Sequence, residues 1–274
     1  MVSIILTSYV DSLDRELNLK MVLECLSNQG FPVPSEHCEV ILVLYHNDPN
    51  CFPNLTFPLV DLHVSEINQL EISEDKYCLS WLRNIGAKTA KGDKLIFLDD
   101  NIVFGDDYLE NLISNFDPKT KFLMGWSRQA KLTRLGRTVY RSEGFYSTEW
   151  ADPYIECYIH AAYDGVTCSP VIFDSEYFCH VLGGYSENYI GEEGSDNDIF
   201  TRARFLVGDY PRYDYTTLRL WTSPRIMEVT SNCNYLLGQA LRFPLELSTR
   251  MVHSDLGKEN QRTEIKYDVT LVGR

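Results

Sequence analysis

The stretch from Lys94 to Ile102, Lys-Leu-Ile-Phe-Leu-Asp-Asp-Asn-Ile, constrains the fold more than any other part of the chain. Leu95, Ile96, Phe97 and Leu98 are apolar without alternation. Such a run marks a strand covered on both faces, as interior strands of parallel sheets are. It stops at Asp99-Asp100-Asn101. Open α/β sheets bind ligands outside the carboxyl ends of their strands. Two carboxylates at that position are placed to hold a hard divalent cation against a phosphate. Ordinary strand-ending turns also use Asp and Asn, so the motif needs support from the rest of the chain.

That support begins at the amino end. Val2 to Leu6 reads as a strand ending at Thr7-Ser8-Tyr9. A helix is expected from about Ser12 to Asn28, with Leu13, Leu17, Met21 and Cys25 on one face. Glu39 to Tyr45 is a second apolar strand, closed by the turn cluster His46-Asn47-Asp48-Pro49, and a weaker strand is expected near Leu59 to Val64. The next helix covers about Glu74 to Lys91, with Cys78, Leu82, Ile85 and Thr89 inward, and Gly92 ends it. Arg83 and Asn84 on that helix read by themselves as solvated positions. This alternation of strand and helix is the doubly wound pattern. The strand ends at Thr7, Asn47 and Asp99 would then share one edge, a crevice of nucleotide size.

Further on, Tyr108, Leu109, Leu112, Ile113 and Phe116 form an amphipathic pattern, and Lys121 to Gly125 a short strand. A strand near Val166 to Phe173 and a short helix near Glu176 to Val181 follow. The whole reads as one α/β domain over residues 1–274, dividing into 1–118, which carries the shared strand edge, and 119–274.

Charge narrows the function. Lys and Arg number 25 against 39 Asp and Glu, a net charge of −14, which argues against general nucleic-acid or anionic-membrane binding. A phosphorylated ligand would then need a local cation. No apolar run is long enough for a transmembrane helix, and the chain enters a strand at Val2 with no leader visible. The eight cysteines include no C-x-x-C pair, which argues against a zinc site and suits reduced, mostly buried thiols in a cytoplasmic protein, peripheral to a membrane if associated with one.

Two segments carry unusual composition. Arg128, Lys131, Arg134, Arg137 and Arg141 stand without an intervening acid. Spacing by three drifts around a helix, so these charges would not share one face of it, and a hairpin turning near Gly136 is an equal alternative. The segment reads either as a solvated, mobile run or as a lid or clamp on an anionic substrate. From Phe145 to Tyr163, aromatic residues including Trp150 interleave with acids. Rings beside carboxylates suit sugars, although they also fill irregular cores.

The second informative stretch runs from Gly183-Gly184-Tyr185 to Phe200. Its four glycines allow close approach of backbone to a ligand. Ser195 reads as an N-cap, and Ile199, Ala203 and Leu206 as the stripe of the following helix. Asp196 and Asp198 then occupy the first turn, where acids complement the helix dipole. A carboxylate there, on a rigid helix start, also suits a general base.

These motifs together resemble a known family. Thr7-Ser8-Tyr9, Arg83-Asn84-Ile85-Gly86-Ala87 and Phe97-Leu98-Asp99-Asp100-Asn101 are similar to family 2 glycosyltransferases of the GT-A fold. Asn188-Tyr189-x-Gly-x-x-Gly-x-Asp-x-Asp-Ile-Phe-x-Arg202 resembles the acceptor-site motif of β-1,4-galactosyltransferases, and Met251-Val252-His253-Ser254 their metal-binding histidine segment.

The resemblance implies a GT-A, Rossmann-like fold with a mostly parallel central sheet flanked by helices. It implies an inverting transfer from a nucleotide-sugar, most often a UDP-sugar, to a hydroxyl of a glycan, glycoprotein or glycolipid. Asp100, with Asp99 or Asn101, and His253 would ligate manganese or magnesium; Thr7, Ser8, Tyr9, Arg83 and Asp99 would line the donor. Asp196 would be the base, with Trp150, Gly184, Tyr185, Ser195 and Asp198 at the acceptor. A nucleotidyltransferase of similar topology is the alternative enzyme, although no Gly-rich basic loop follows the first strand; a catalytically silent sugar-binding or nucleotide-binding module is the alternative class.

Overall fold

The computed structural model describes residues 1–30, 37–46, 66–71, 78–143, 151–160, 169–187, 195–207, 211–222 and 264–267. Four parallel strands form its centre: β1 (Val2–Tyr9), β2 (Cys38–His46), β3 (Glu66–Glu71) and β4 (Lys94–Asp99). They stand in the order β3-β2-β1-β4. β6 (Phe122–Met124) and β9 (Val171–Asp174) extend the β4 edge, and β11 (Glu264–Tyr267) the β3 edge. β9 and β11 run antiparallel to their neighbours, so the seven-stranded sheet is mostly parallel. Strands from both halves of the chain share it.

Helices cover both faces, which is why the apolar runs do not alternate. Ile4, Leu6, Ile96 and Leu98 pack with Leu19, Val22 and Leu26 of α1 (Leu13–Ser27) and with Leu109 and Leu112 of α3 (Tyr108–Asn115). Ile5, Leu95 and Phe97 pack with Trp81, Leu82 and Ala87 of α2 (Leu79–Thr89) on the other face. Each such buried side chain stabilises the fold by about 1.5–3 kcal/mol. Gly86 sets the distance of α2 from the sheet, because a Cβ there would collide with the Ile5 side chain and crowd Val43.

The order of the parallel strands reverses at β1: the chain moves outward to β2 and β3, then returns to place β4 on the other side. Thr7 pairs in register with Asp99 and Tyr9 with Tyr45, so the ends of β1, β2 and β4 lie on one edge; Asn47 lies outside the described residues. The crevice at a topological switch point is the ligand position of open α/β sheets. The expected strand at Leu59 to Val64 lies outside the described residues.

A second sheet, in the order β5-β10-β7-β8, was not foreseen. It joins β5 (Ile102–Val103), β10 (Thr216–Arg219), β7 (Arg128–Leu132) and β8 (Ile155–His160). β7 continues into α4 (Arg134–Glu143), so of the two forms the helix is the one taken from Arg134 onward, and the hairpin near Gly136 does not form. Gly136 lies inside α4, where a Cβ would press on Tyr154. The charges are largely engaged: Lys131 pairs with Glu156, Arg137 with Asp14, and Arg128 lies over the Tyr158 ring.

Leu13 is 70% exposed and belongs to no inner face of α1, whereas Met21 and Cys25 of the expected stripe are buried, together with Arg15 and Asn18. Among the described cysteines, Cys25, Cys38 and Cys78 are buried, Cys179 is half-buried and Cys157 is exposed, so most of these thiols are buried, as expected.

Candidate active site

Asp99 ends β4 and Asp100 begins the turn that follows, and their side chains take different partners. Asp99 lies on the α2 side, where Arg83 Nη2 donates to its Oδ1 at 2.9 Å. Asp100 meets β1 instead, accepting from the Ser8 hydroxyl at 2.6 Å. The two carboxylates therefore hold separate posts, not one shared clamp. The Asp99 N–H donates to Ser169 Oγ at 2.6 Å, and Gln129 Nε2 donates to the Ser169 carbonyl at 2.6 Å. Those bonds tie the end of β4 to the second sheet.

Arg83 is buried to 1% exposure, which overturns its reading as a solvated helix position. Its Nη1 donates to Asp196 Oδ1 at 2.5 Å. Behind the guanidinium stands the Tyr185 ring, 5.0 Å away to its centroid. Asn84 fixes that ring through the backbone: its Nδ2 donates to the Tyr185 carbonyl and its Oδ1 accepts the Tyr185 N–H, both at 2.9 Å. Asn84 Nδ2 also donates to Glu187 Oε1 at 3.0 Å.

Asp196 stands in the first turn of α5 (Ser195–Val207). Ser195 begins that helix and donates only a long hydrogen bond to Asp196 Oδ1, 3.4 Å. Asp198 faces inward: Arg202 Nε and Nη2 both donate to its Oδ2, at 3.0 and 2.6 Å. Arg202 also donates to the carbonyls of Leu182 at 2.6 Å and Gly184 at 2.9 Å. Gly183 and Gly184 have φ of 71° and 79°, a turn that glycine enters without a Cβ clash. Asp198 and Tyr185, expected at the acceptor, are thus committed inside the protein.

At the β1 end, Thr7 and Ser8 are buried, and the Tyr9 ring lies 4.4 Å from that of Tyr45. The amide oxygen Asn101 Oδ1 is buried without a hydrogen-bond partner among the described residues. Beside Asp100 it offers a second hard oxygen of the kind Mg²⁺ or Mn²⁺ takes. His253, Trp150 and residues 188–194 lie outside the described residues. Sequence reasoning gave no role to Asn84, Ser169 or Glu187. Ser169, next to Pro170, carries no local signal; Asn84 adjoins Arg83 in the quoted motif.

The switch point at β1 and the helices on both faces of the mostly parallel sheet define a GT-A α/β fold. No family model matches the sequence, and no curated protein does. Solved structures of TarS from S. aureus share the fold. The complex with UDP superposes with a TM-score of 0.53 at 17% identity, covering 81% of this chain and 60% of that one. The complex with UDP-GlcNAc gives 0.57 at 16%, covering 86% and 64%. TarS 1-349 without a named ligand gives 0.52 at 17%, covering 88% and 63%. The chain spans less than two thirds of the length of these structures. Among the described residues no helix is long and apolar enough to cross a membrane.

Proposed function

We propose that this protein is a glycosyltransferase that moves a sugar from a nucleotide-sugar, a UDP-sugar by preference, to an acceptor hydroxyl with inversion. The observation that carries the reading is the meeting of Asp99 and Asp196 on one guanidinium at the carboxyl edge of the parallel sheet. The shared fold with TarS, whose solved structures include complexes with UDP and UDP-GlcNAc, supports the choice of donor.

In this reading the nucleotide lies along the ends of β1 and β4, near Ser8, Tyr9 and Asp100. Asp196 accepts the proton of the acceptor hydroxyl. The oxygen so released bonds to the anomeric carbon, while the bond from that carbon to the diphosphate breaks and its electron pair leaves with the nucleotide. A base in this position contributes about 10²–10⁴-fold. Asp100 and Asn101 would hold the divalent cation, with His253 as the further ligand suggested by the sequence. Once bound, the cation would offset charge on the departing diphosphate.

The test is a calorimetric titration of UDP, with GDP and dTDP as controls, each with and without manganese. Metal-dependent binding of UDP alone is expected, followed by turnover of UDP-GlcNAc or another UDP-sugar. Tight binding of a different nucleotide changes the donor. Failure to bind any nucleotide removes the reading in favour of a silent module.

A further inference from the structure

We propose that Arg83 is a positioning residue that couples the donor edge to the base, and not itself a contact of the nucleotide. This inference rests on the glycosyltransferase reading. The resemblance places Arg83 at the donor, but the structure buries its side chain to 1% exposure and engages both terminal nitrogens with carboxylates. Those carboxylates come from different parts of the site. Asp99 ends the strand that leads into Asp100, and Asp196 starts the helix that carries the base.

A guanidinium suits this bridge because it is a rigid planar fork. One nitrogen fixes Asp99 and the other Asp196, so the separation of the two carboxylates is set by the width of one group. Tyr185 closes the rear of the fork at 5.0 Å, and Asn84 holds Tyr185 by two backbone hydrogen bonds. Both carboxylates keep some contact with solvent, 24% for Asp99 and 18% for Asp196, while Arg83 keeps almost none. The reacting groups would therefore meet the carboxylates, with Arg83 acting from behind.

Three variants test the coupling: Arg83→Lys, Arg83→Gln and Asn84→Ser. For each, UDP affinity is measured by calorimetry and UDP-GlcNAc turnover by the UDP released as the sugar passes to acceptor or water. Arg83→Gln is expected to lower kcat by about 100-fold, the cost of misplacing a reacting group by about 1 Å. UDP affinity should stay within about threefold, because in this arrangement the nucleotide does not touch the guanidinium. Arg83→Lys should not restore kcat, since an ammonium is a point charge and not a fork. Asn84→Ser should lower kcat in the same direction without altering UDP affinity.

Loss of UDP affinity in step with turnover would make Arg83 a nucleotide contact and overturn the proposal. Full rescue by lysine would do so as well. If the unaltered protein binds no UDP, the glycosyltransferase reading fails, and a urea-unfolding cycle of Arg83→Gln with Asp196→Ala, each of which removes the ion pair, decides the pairing. Additive effects in that cycle would show that the guanidinium does not hold Asp196.

Discussion

Arg83 Nη1 stands 2.5 Å from Asp196 Oδ1, although the two residues are 113 positions apart in sequence. This ion pair brings the first turn of α5 to the carboxyl end of β4. A carboxylate held so near the edge of the sheet is suited to take a proton from a hydroxyl presented there.

Asp196→Asn is therefore expected to cut transfer by about 10²–10⁴-fold. The amide keeps the shape and can still accept from Arg83, so the fold and the binding of UDP should persist. Steady-state turnover alongside UDP calorimetry checks both halves. Turnover within threefold of the parent would remove Asp196 from the role of base.

Asp100 receives a different test because Ser8, not Arg83, holds it. Asp100→Ala removes a hard oxygen from the pair it forms with Asn101. UDP binding in manganese should then weaken by at least about tenfold, since loss of even a group that only supports a ligand costs about that much. Binding without metal should barely change. A parent protein indifferent to manganese would show that Asp100 serves no cation.

Much of this arrangement was legible in the sequence, and the reasons are local. Leu95 to Leu98 reads as an interior strand because helices cover both faces, and the alternation that marks a half-exposed strand is missing. The ends of β1, β2 and β4 follow once those strands are parallel. The inner stripe of α1 is legible only in part: Met21 and Cys25 are buried, but Leu13 is exposed and the polar Arg15 and Asn18 lie inside; Asn18 Nδ2 donates to the Trp221 carbonyl at 3.1 Å, a partner far along the chain. The second sheet was hidden for a similar reason. Its buried positions include Gln129 and Thr217, polar residues that no apolar pattern reveals. Arg83 looked solvated because its two acidic partners are supplied by tertiary structure alone.

Arg202 is the second guanidinium whose purpose appears only in the fold. It gathers Asp198 and the carbonyls of Leu182 and Gly184, with only 2% of its side chain exposed. Arg202→Met would leave the Asp198 carboxylate buried without its cation. Breaking a buried pair in this way costs about 3–5 kcal/mol. Urea unfolding should show that loss, and Asp198→Asn added to Arg202→Met should recover part of it, since no unpaired charge then remains. A single variant within about 1 kcal/mol of the parent would show that this lock does little for stability.

Alkaline pH should destabilise the protein through buried thiols and a phenol. Burial pushes the Cys25 thiol from 9.0 up to about 12, with Asp106 adding to the shift. Burial likewise pushes Cys38 from 9.0 to about 12 and Tyr215 from 10.0 to about 12. Below the ordinary values, folded and unfolded states hold these protons equally, and the stabilisation is fully present. Between about pH 9 and pH 12 the unfolded chain releases them while the folded chain keeps them, so stability falls as pH rises. The urea midpoint should be nearly level from about pH 7 to pH 8 and decline above about pH 9. Cys25→Ala should lower the midpoint throughout, by loss of packing, but make its alkaline decline shallower. An unchanged slope in that variant would mean that ionisation of the Cys25 thiol is not what weakens the fold.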